Sequence, residues 1–243
     1  MDPRLLALDT STERLALALT GPEGPRSLTE PGGARASARL IPAAQNLLHQ
    51  AGLAFSSLDG IAFAAGPGAF TGLRTACAAA QGLALAIGKP VVALDSLMLV
   101  AEDAVPAAKV DSVVWVAMDA RMDEVYAGAY RSTGKAWQVE VPPALYTLEA
   151  LQQRLSERLP ECVVGNAPAA FGGRWPVNGA RPLGEGTDRG AALARLAVQR
   201  WQTAPRLDAA QAMPLYLRDK VALTTLERAQ AAASAQTHRG QRG

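Results

Sequence analysis

Histidine and cysteine are scarce in this sequence, two of each in 243 residues, and their scarcity removes whole classes of chemistry. His49 falls on the polar face of a helical segment and His238 near the C-terminus. A Ser-His-Asp triad therefore has no base, and no two-histidine metal site forms within the body. Cys77 and Cys162 stand apart in apolar segments, which suits a reducing compartment and gives neither a disulfide framework nor metal-ligand spacing. An excess of one charge is also missing: 24 Lys and Arg against 22 Asp and Glu leave +2. From Arg218 onward five cations (Arg218, Lys220, Arg228, Arg239, Arg242) face Asp219 and Glu227, giving +3, so the remainder stands at −1. Such a body does not hold nucleic acid by its own field. No basic-then-apolar leader opens the chain, and the longest apolar stretch, Ala76 to Ile87, is too short to span a bilayer and carries Gln81. Both point to a cytoplasmic protein with no membrane partner.

What is present is a globular composition, 49% hydrophobic, long enough for one large domain or two packed lobes. LLALDTSTERLALAL reads as two buried strands joined by a polar turn, and VVWVAMDARMDEVYAGAY repeats that pattern halfway along. Asp9 precedes Glu13 by four residues, and Asp119 precedes Asp123 and Glu124 similarly. The chain thus reads as a weak internal repeat, each copy opening on a hairpin. Between the hairpins, Leu40, Ile41, Ala44, Leu47, Leu48 and Ala51 share one helical face, with Gln45, His49 and Gln50 turned away. A strand at IAFAA, an Ala-rich helix, a strand at PVVALD and a helix at SLMLVAEDAV capped by Ser96 follow. That alternation implies parallel pairing with helices on the sheet faces. Further on come a helix from about Leu148 to Leu159, a strand at CVVG and a helix near Arg189 to Gln202. PLYLRDKVA closes the ordered body; LERAQAAASAQTHRGQRG reads as a frayed helix or disordered tail.

AAGPGAFTGLRTACAAAQGLALA raises the question of a phosphate cradle. Gly68 and Gly72 are separated by three residues and followed by Leu73-Arg74, where a P-loop needs four residues and then Lys-Ser/Thr. The dinucleotide fingerprint would need glycine where Thr71 stands. A helix N-terminus can still hold an anion, and a tight strand-to-helix turn explains the same glycines. The helix itself is apolar all round from Ala76 to Ile87 except Gln81, so it needs cover on two sides. One side suits a sheet; the other takes either a neighbouring element of this chain or another protein. Arg74, in the first turn, opposes the helix dipole and calls for a nearby anion. Asp9 with Thr10, Ser11 and Thr12 either positions a metal-bound phosphate or shapes an Asx and Ser/Thr turn.

LLALDTSTERLALAL, GPGAFTGLR, MDARMDEVYAGAY and PLYLRDKVA, in this order, closely resemble the bacterial TsaB family, also called YeaZ, over about Leu5 to Ala222. The resemblance implies an α/β fold of the actin-like, sugar-kinase and heat-shock chaperone ATPase (ASKHA) class, with two duplicated lobes of mixed sheets flanked by helices. Its lobes would be residues 1–105 and 106–222, with a tail at 223–243. It implies an accessory, non-catalytic part in making threonylcarbamoyladenosine beside the anticodon of tRNA. The partners implied are TsaD in a heterodimer, the ATPase TsaE, tRNA through the complex, and a homodimer when isolated. No cofactor is implied, although the fold leaves ATP or ADP binding open, and an ATP-binding phosphotransfer or ATPase enzyme is the alternative reading. Its degenerate nucleotide cleft would comprise Asp9, Thr10, Ser11, Thr12 and Gly68.

The family's contact with TsaD maps onto residues 37–50 and 70–87. In this chain that surface would comprise Ser37, Leu40, Ile41, Ala44, Leu47, Leu48, Phe70, Thr71, Leu73, Arg74, Ala79 and Leu83. TsaD carries a two-histidine metal motif after the strand matching PVVALD; this chain has Ser96 and Val100 at those positions, and so no metal site is implied. It also departs from the family's usual His-Ser-Glu at Ala36-Ser37-Ala38.

Overall fold

The computed structural model describes residues 2–105, 113–176 and 179–218. The 223–243 tail of the sequence reading lies outside these residues. β1 (Leu5–Asp9) and β2 (Arg14–Leu19) pair antiparallel as the first hairpin, and β3 (Arg26–Pro31) extends it. After α1 (Ala36–Gln50), β4 (Gly60–Gly66) adds parallel to β1. After α2 (Phe70–Ile87), β5 (Val91–Asp95) adds parallel to β4. The sheet order is β3-β2-β1-β4-β5.

The second half repeats this element by element. β6 (Val113–Asp119), β7 (Glu124–Ser132) and β8 (Trp137–Thr147) are antiparallel neighbours. α4 (Leu148–Ser156) leads to β9 (Cys162–Val164), parallel to β6, and α5 (Ala167–Phe171) to β10 (Arg181–Leu183), parallel to β9. The order β10-β9-β6-β7-β8 is the first sheet's order written in the second half's numbers. Two such mixed sheets flanked by helices constitute the ASKHA architecture. Each half then ends in a helix: α3 (Ser96–Ala104) and α6 (Arg189–Thr203).

These two helices sit between the sheets and are interleaved. α6, from the second half, packs on β1, β2, β3 and β5; α3, from the first, touches β4 and β5 but also β6, β7, β8 and β9. The period-2 alternation of the strands explains how each sheet serves two cores. Leu5, Ala7, Ala16, Ala18 and Ala62 point into the central core with α3 and α6, whereas Leu6, Leu8, Leu15, Leu17 and Phe63 point outward beneath α1 and α2. The inward face is thus largely alanine, which lets α6, itself bearing Gly190, Ala192, Ala194 and Ala197 among its buried residues, lie close to the sheet. Likewise Val114, Val116 and Met118 face the central core, and Trp115 and Ala117 face α4 and α5.

α3 is capped by Asp95, not by Ser96 as the sequence suggested. The Asp95 Oδ1 accepts from the amides of Leu97 at 2.9 Å and Met98 at 3.1 Å. A carboxylate at the strand end reaches both free amides of the first turn, which leaves Ser96 inside the helix.

Candidate functional site

The β1–β2 turn holds a fully buried polar cluster. Asp9 and Arg189 have side chains with no solvent exposure, and the Arg189 Nε donates to the Asp9 Oδ2 at 2.6 Å. The Asp9 Oδ1 accepts from the Ser11 amide at 2.8 Å, and the Arg189 Nη2 donates to the Ser11 Oγ at 3.2 Å. Thr10 Oγ1 donates to the Gly72 carbonyl at 2.6 Å, and the Ala69 amide donates to the Ser11 carbonyl at 2.8 Å. A Cβ at Gly72 would stand 1.8 Å from the Thr10 oxygen, and one at Gly68 2.5 Å from the Ser11 oxygen. The glycines are therefore required by close approach of the turn to the start of α2. Of the five residues expected in a nucleotide cleft, Asp9 is consumed by an arginine and Thr10 by a backbone carbonyl. Ser11, Thr12 and Gly68 do border a cavity of about 500 Å³ between the halves.

The equivalent β6–β7 turn is built oppositely. Arg121, Met122 and Asp123 are exposed and stand consecutively in the left-handed region, at φ 64°, 55° and 58°. For residues with a Cβ this costs about 1 kcal/mol each. Arg218 braces the turn from the C-terminal end, donating to the Arg121 carbonyl at 3.2 Å and pairing with Glu124. Arg174 pairs with Asp123 at 3.0 Å, and Arg121 with Asp119 at 3.2 Å. The Asp119 amide donates to the Asn166 Oδ1 at 2.8 Å, so a side chain here links the turn to the loop after β9, where backbone does so in the first half.

Sequence reasoning missed the segment that crosses this region. Residues 204–218 run back along α2 and over the cavity. The Leu207 and Val91 backbones bond reciprocally, Ala212 carbonyl accepts from Cys77 Sγ at 3.3 Å and Gln81 Nε2 at 2.9 Å, and the Leu215 amide donates to the Ala65 carbonyl at 2.7 Å. Arg74 lies 3.8 Å over the Phe70 ring, and its Nε donates to the Tyr216 hydroxyl at 3.0 Å. Aromatic faces thus take the place of the anion expected beside Arg74, and among the described residues no carboxylate pairs with it. The motif PLYLR carried the only sequence signal, and it read as closure without a destination.

The expected docking surface divides. Leu40, Ala44, Leu47 and Leu48 are buried, at 1%, 0%, 6% and 2% exposure, in the core beneath α1 and α2, and Leu73, at 2% exposure, faces the cavity between the halves, so all five are corrected from partner contacts to internal positions. Each such leucine contributes about 1.5–3 kcal/mol to this chain's own fold. Ser37, Thr71 and Arg74 are exposed, and Ile41, Phe70, Ala79 and Leu83 are half-buried. The second cover that α2 requires comes in part from residues 207–216 of its own chain. One stripe stays open: Thr71, Ala78, Gly82, Leu85 and Ala86 are all exposed. They share one helical face, Leu85 is 78% exposed, and a Cβ on Gly82 would meet nothing within 4 Å. α2 is also, among the described residues, the one helix with the length and apolarity of a membrane span, but its buried side rests on β4.

Titration is shaped by burial. Asp95 is pushed up to about 6 by desolvation, against the opposing pull of the Met98 amide and of Tyr130, whose hydroxyl donates to its Oδ2 at 2.8 Å. Burial likewise raises the thiols of Cys77 and Cys162, which makes both poor nucleophiles. Among the described residues no group of three or more His, Cys, Asp and Glu converges as a metal site. Ser96 and Val100, at the positions matched to metal ligands, both border the cavity.

The comparisons with known proteins agree with this geometry. The family model described as TsaD, tRNA N6-adenosine threonylcarbamoyltransferase, matches residues 31–165. The tRNA threonylcarbamoyladenosine biosynthesis protein TsaB of Escherichia coli is 30% identical over 90% of this chain and 96% of its own. The protein of the same name from Haemophilus influenzae is 38% identical over about half of each chain, 50% and 51%. The solved structure of YeaZ from Pseudomonas aeruginosa superposes with a TM-score of 0.75 at 33% identity, covering 88% of this chain and all of that one. With a shared fold and near full-length similarity, the chain belongs to the TsaB (YeaZ) family of tRNA threonylcarbamoyladenosine biosynthesis proteins.

Proposed function

We propose that this protein is a non-catalytic subunit in threonylcarbamoyladenosine formation on tRNA, and that it acts in the cytoplasm by docking onto and activating a TsaD transferase. The observation that carries the reading is the open stripe on α2, where Ala78, Gly82 and Leu85 offer a flat apolar surface beside α1. Small residues let a second helix approach closely, and a soluble chain seldom leaves such a stripe without use. The internal pairing of Asp9 with Arg189 supports the non-catalytic half of the reading, because a carboxylate held by an arginine is not free to hold a metal-bound phosphate. In the larger assembly TsaE and tRNA join through the complex, and the isolated chain pairs with itself through the same stripe.

Gly82→Arg and Ala78→Arg test the docking face. Both positions are exposed, so the fold is retained while the stripe is blocked; co-purification with TsaD is expected to fall at least tenfold in each. Undiminished complex formation by both folded variants overturns the placement. Leu40→Asp is no test, since it would place a charge in the core.

A further inference from the structure

We propose that the cavity between the two halves binds a small, uncharged, largely apolar molecule carrying one hydrogen-bonding group, which meets Ser96. Four observations carry this. The cavity, about 500 Å³, has the size of a small-molecule site. Leu73, Leu97, Val100 and Met118 supply its apolar walls, and Leu215 to Arg218 run across it.

The polar part of the lining carries no net charge. Arg14, Arg121 and Arg218 are matched by Glu13, Asp119 and Glu185, so the site does not draw in a polyanion. The loop that would cradle phosphate is turned elsewhere, with the Ala69 amide already given to the Ser11 carbonyl and the approach to Gly68 and Gly72 filled by the turn backbone. A nucleotide thus finds no net positive charge, and the Ala69 amide is already engaged.

Ser96 supplies the specific contact. It borders the cavity, is 1% exposed, and its Oγ has no hydrogen-bond partner among the described residues. A hydroxyl left unpaired away from bulk water is costly. A ligand in the cavity that reaches this hydroxyl supplies the missing hydrogen bond.

The test uses the full chain and N-phenyl-1-naphthylamine, a neutral fluorophore with a single N–H. A saturable fluorescence rise with one site per chain is expected. Val100→Trp, which fills the cavity, should weaken it at least tenfold. Ser96→Ala should weaken it about fivefold, the worth of one hydrogen bond, without lowering the melting temperature of the unliganded protein. Magnesium-ATP should not displace the probe. Lack of saturable binding, displacement by magnesium-ATP, or binding untouched by the substitutions overturns the proposal. The last outcome would place the probe on an outer surface such as the α2 stripe. Should Val100→Trp not fold, Ser96→Ala decides alone, because it removes only an unpaired oxygen.

Discussion

The two hairpin turns, at Asp9 and at Asp119, occupy the same place in a duplicated fold and have been put to opposite uses. In the first half the carboxylate is buried, paired with Arg189 and closed in by glycines that admit backbone to within contact distance. In the second half the turn is exposed, strained over three residues and held from outside by Arg174 and Arg218. A duplicated scaffold keeps its topology while each copy's turn changes its role: one has become a structural joint between halves, the other a surface feature held by the C-terminal segment.

The sharpest way to break this contrast is to remove one arginine that pairs at each turn. Arg189→Ala leaves the Asp9 carboxylate buried without its counter-charge and should cost about 3–5 kcal/mol, whereas Arg121→Ala, at an exposed pair, should cost less than about 1 kcal/mol. Urea titrations of the two variants measure both, and equal losses would erase the distinction. Next in size, Gly72→Ala forces a Cβ into the Thr10 carbonyl at 1.8 Å and should destabilise by about 3 kcal/mol. Gly82→Ala, on the open stripe of the same helix, should stabilise by about 0.5–1 kcal/mol.

Asp95, which forms no ion pair among the described residues, sharpens the comparison further. Asp95 has its folded value raised to about 6 from 3.8, so the fold prefers its protonated form. That contribution is fully present below about pH 4 and is lost as the pH rises through 6. The stability of the wild type relative to Asp95→Asn should therefore shrink between pH 4 and 7, as read by thermal melts; a difference that grows with pH would contradict the assignment. Met122→Gly removes a left-handed non-glycine residue and should stabilise by about 1 kcal/mol. Loss of stability would show that the Met122 sulfur, 3.2 Å from Arg218, holds more than the strain costs.

The parts of the fold legible in the sequence are those whose pattern is local and buried. β1, β2, β4, β5, β6, β7 and β9 all carry apolar runs, and the repeat of the hairpins was visible in LLALDTSTERLALAL and VVWVAMDARMDEVYAGAY. β3, β8 and β10 were not marked out, because edge strands are polar or proline-bearing: RSLTEP, WQVEVPPALYT and RPL. Pro142 and Pro143 disqualify a central strand and are tolerated at an edge. The candidate site was legible only as far as helical periodicity reaches. Periodicity groups Leu40, Ala44, Leu47 and Leu48 on one face, but it cannot say whether a sheet of the same chain or a partner covers that face. The bond between Asp9 and Arg189 joins residues 180 positions apart, and no local pattern announces it.

The interleaving of α3 and α6 also sets a timetable. The inner face of the first sheet has no helix of its own half to cover it fully; its lid is α6, which begins at Arg189. A ribosome adding about 5–20 residues per second finishes β5 roughly 5–20 seconds before that lid emerges. During synthesis the first half must wait with Leu5, Ala7 and Ala18 uncovered, so it is the nascent chain, rather than the finished protein, that is most exposed to aggregation and most in need of a chaperone.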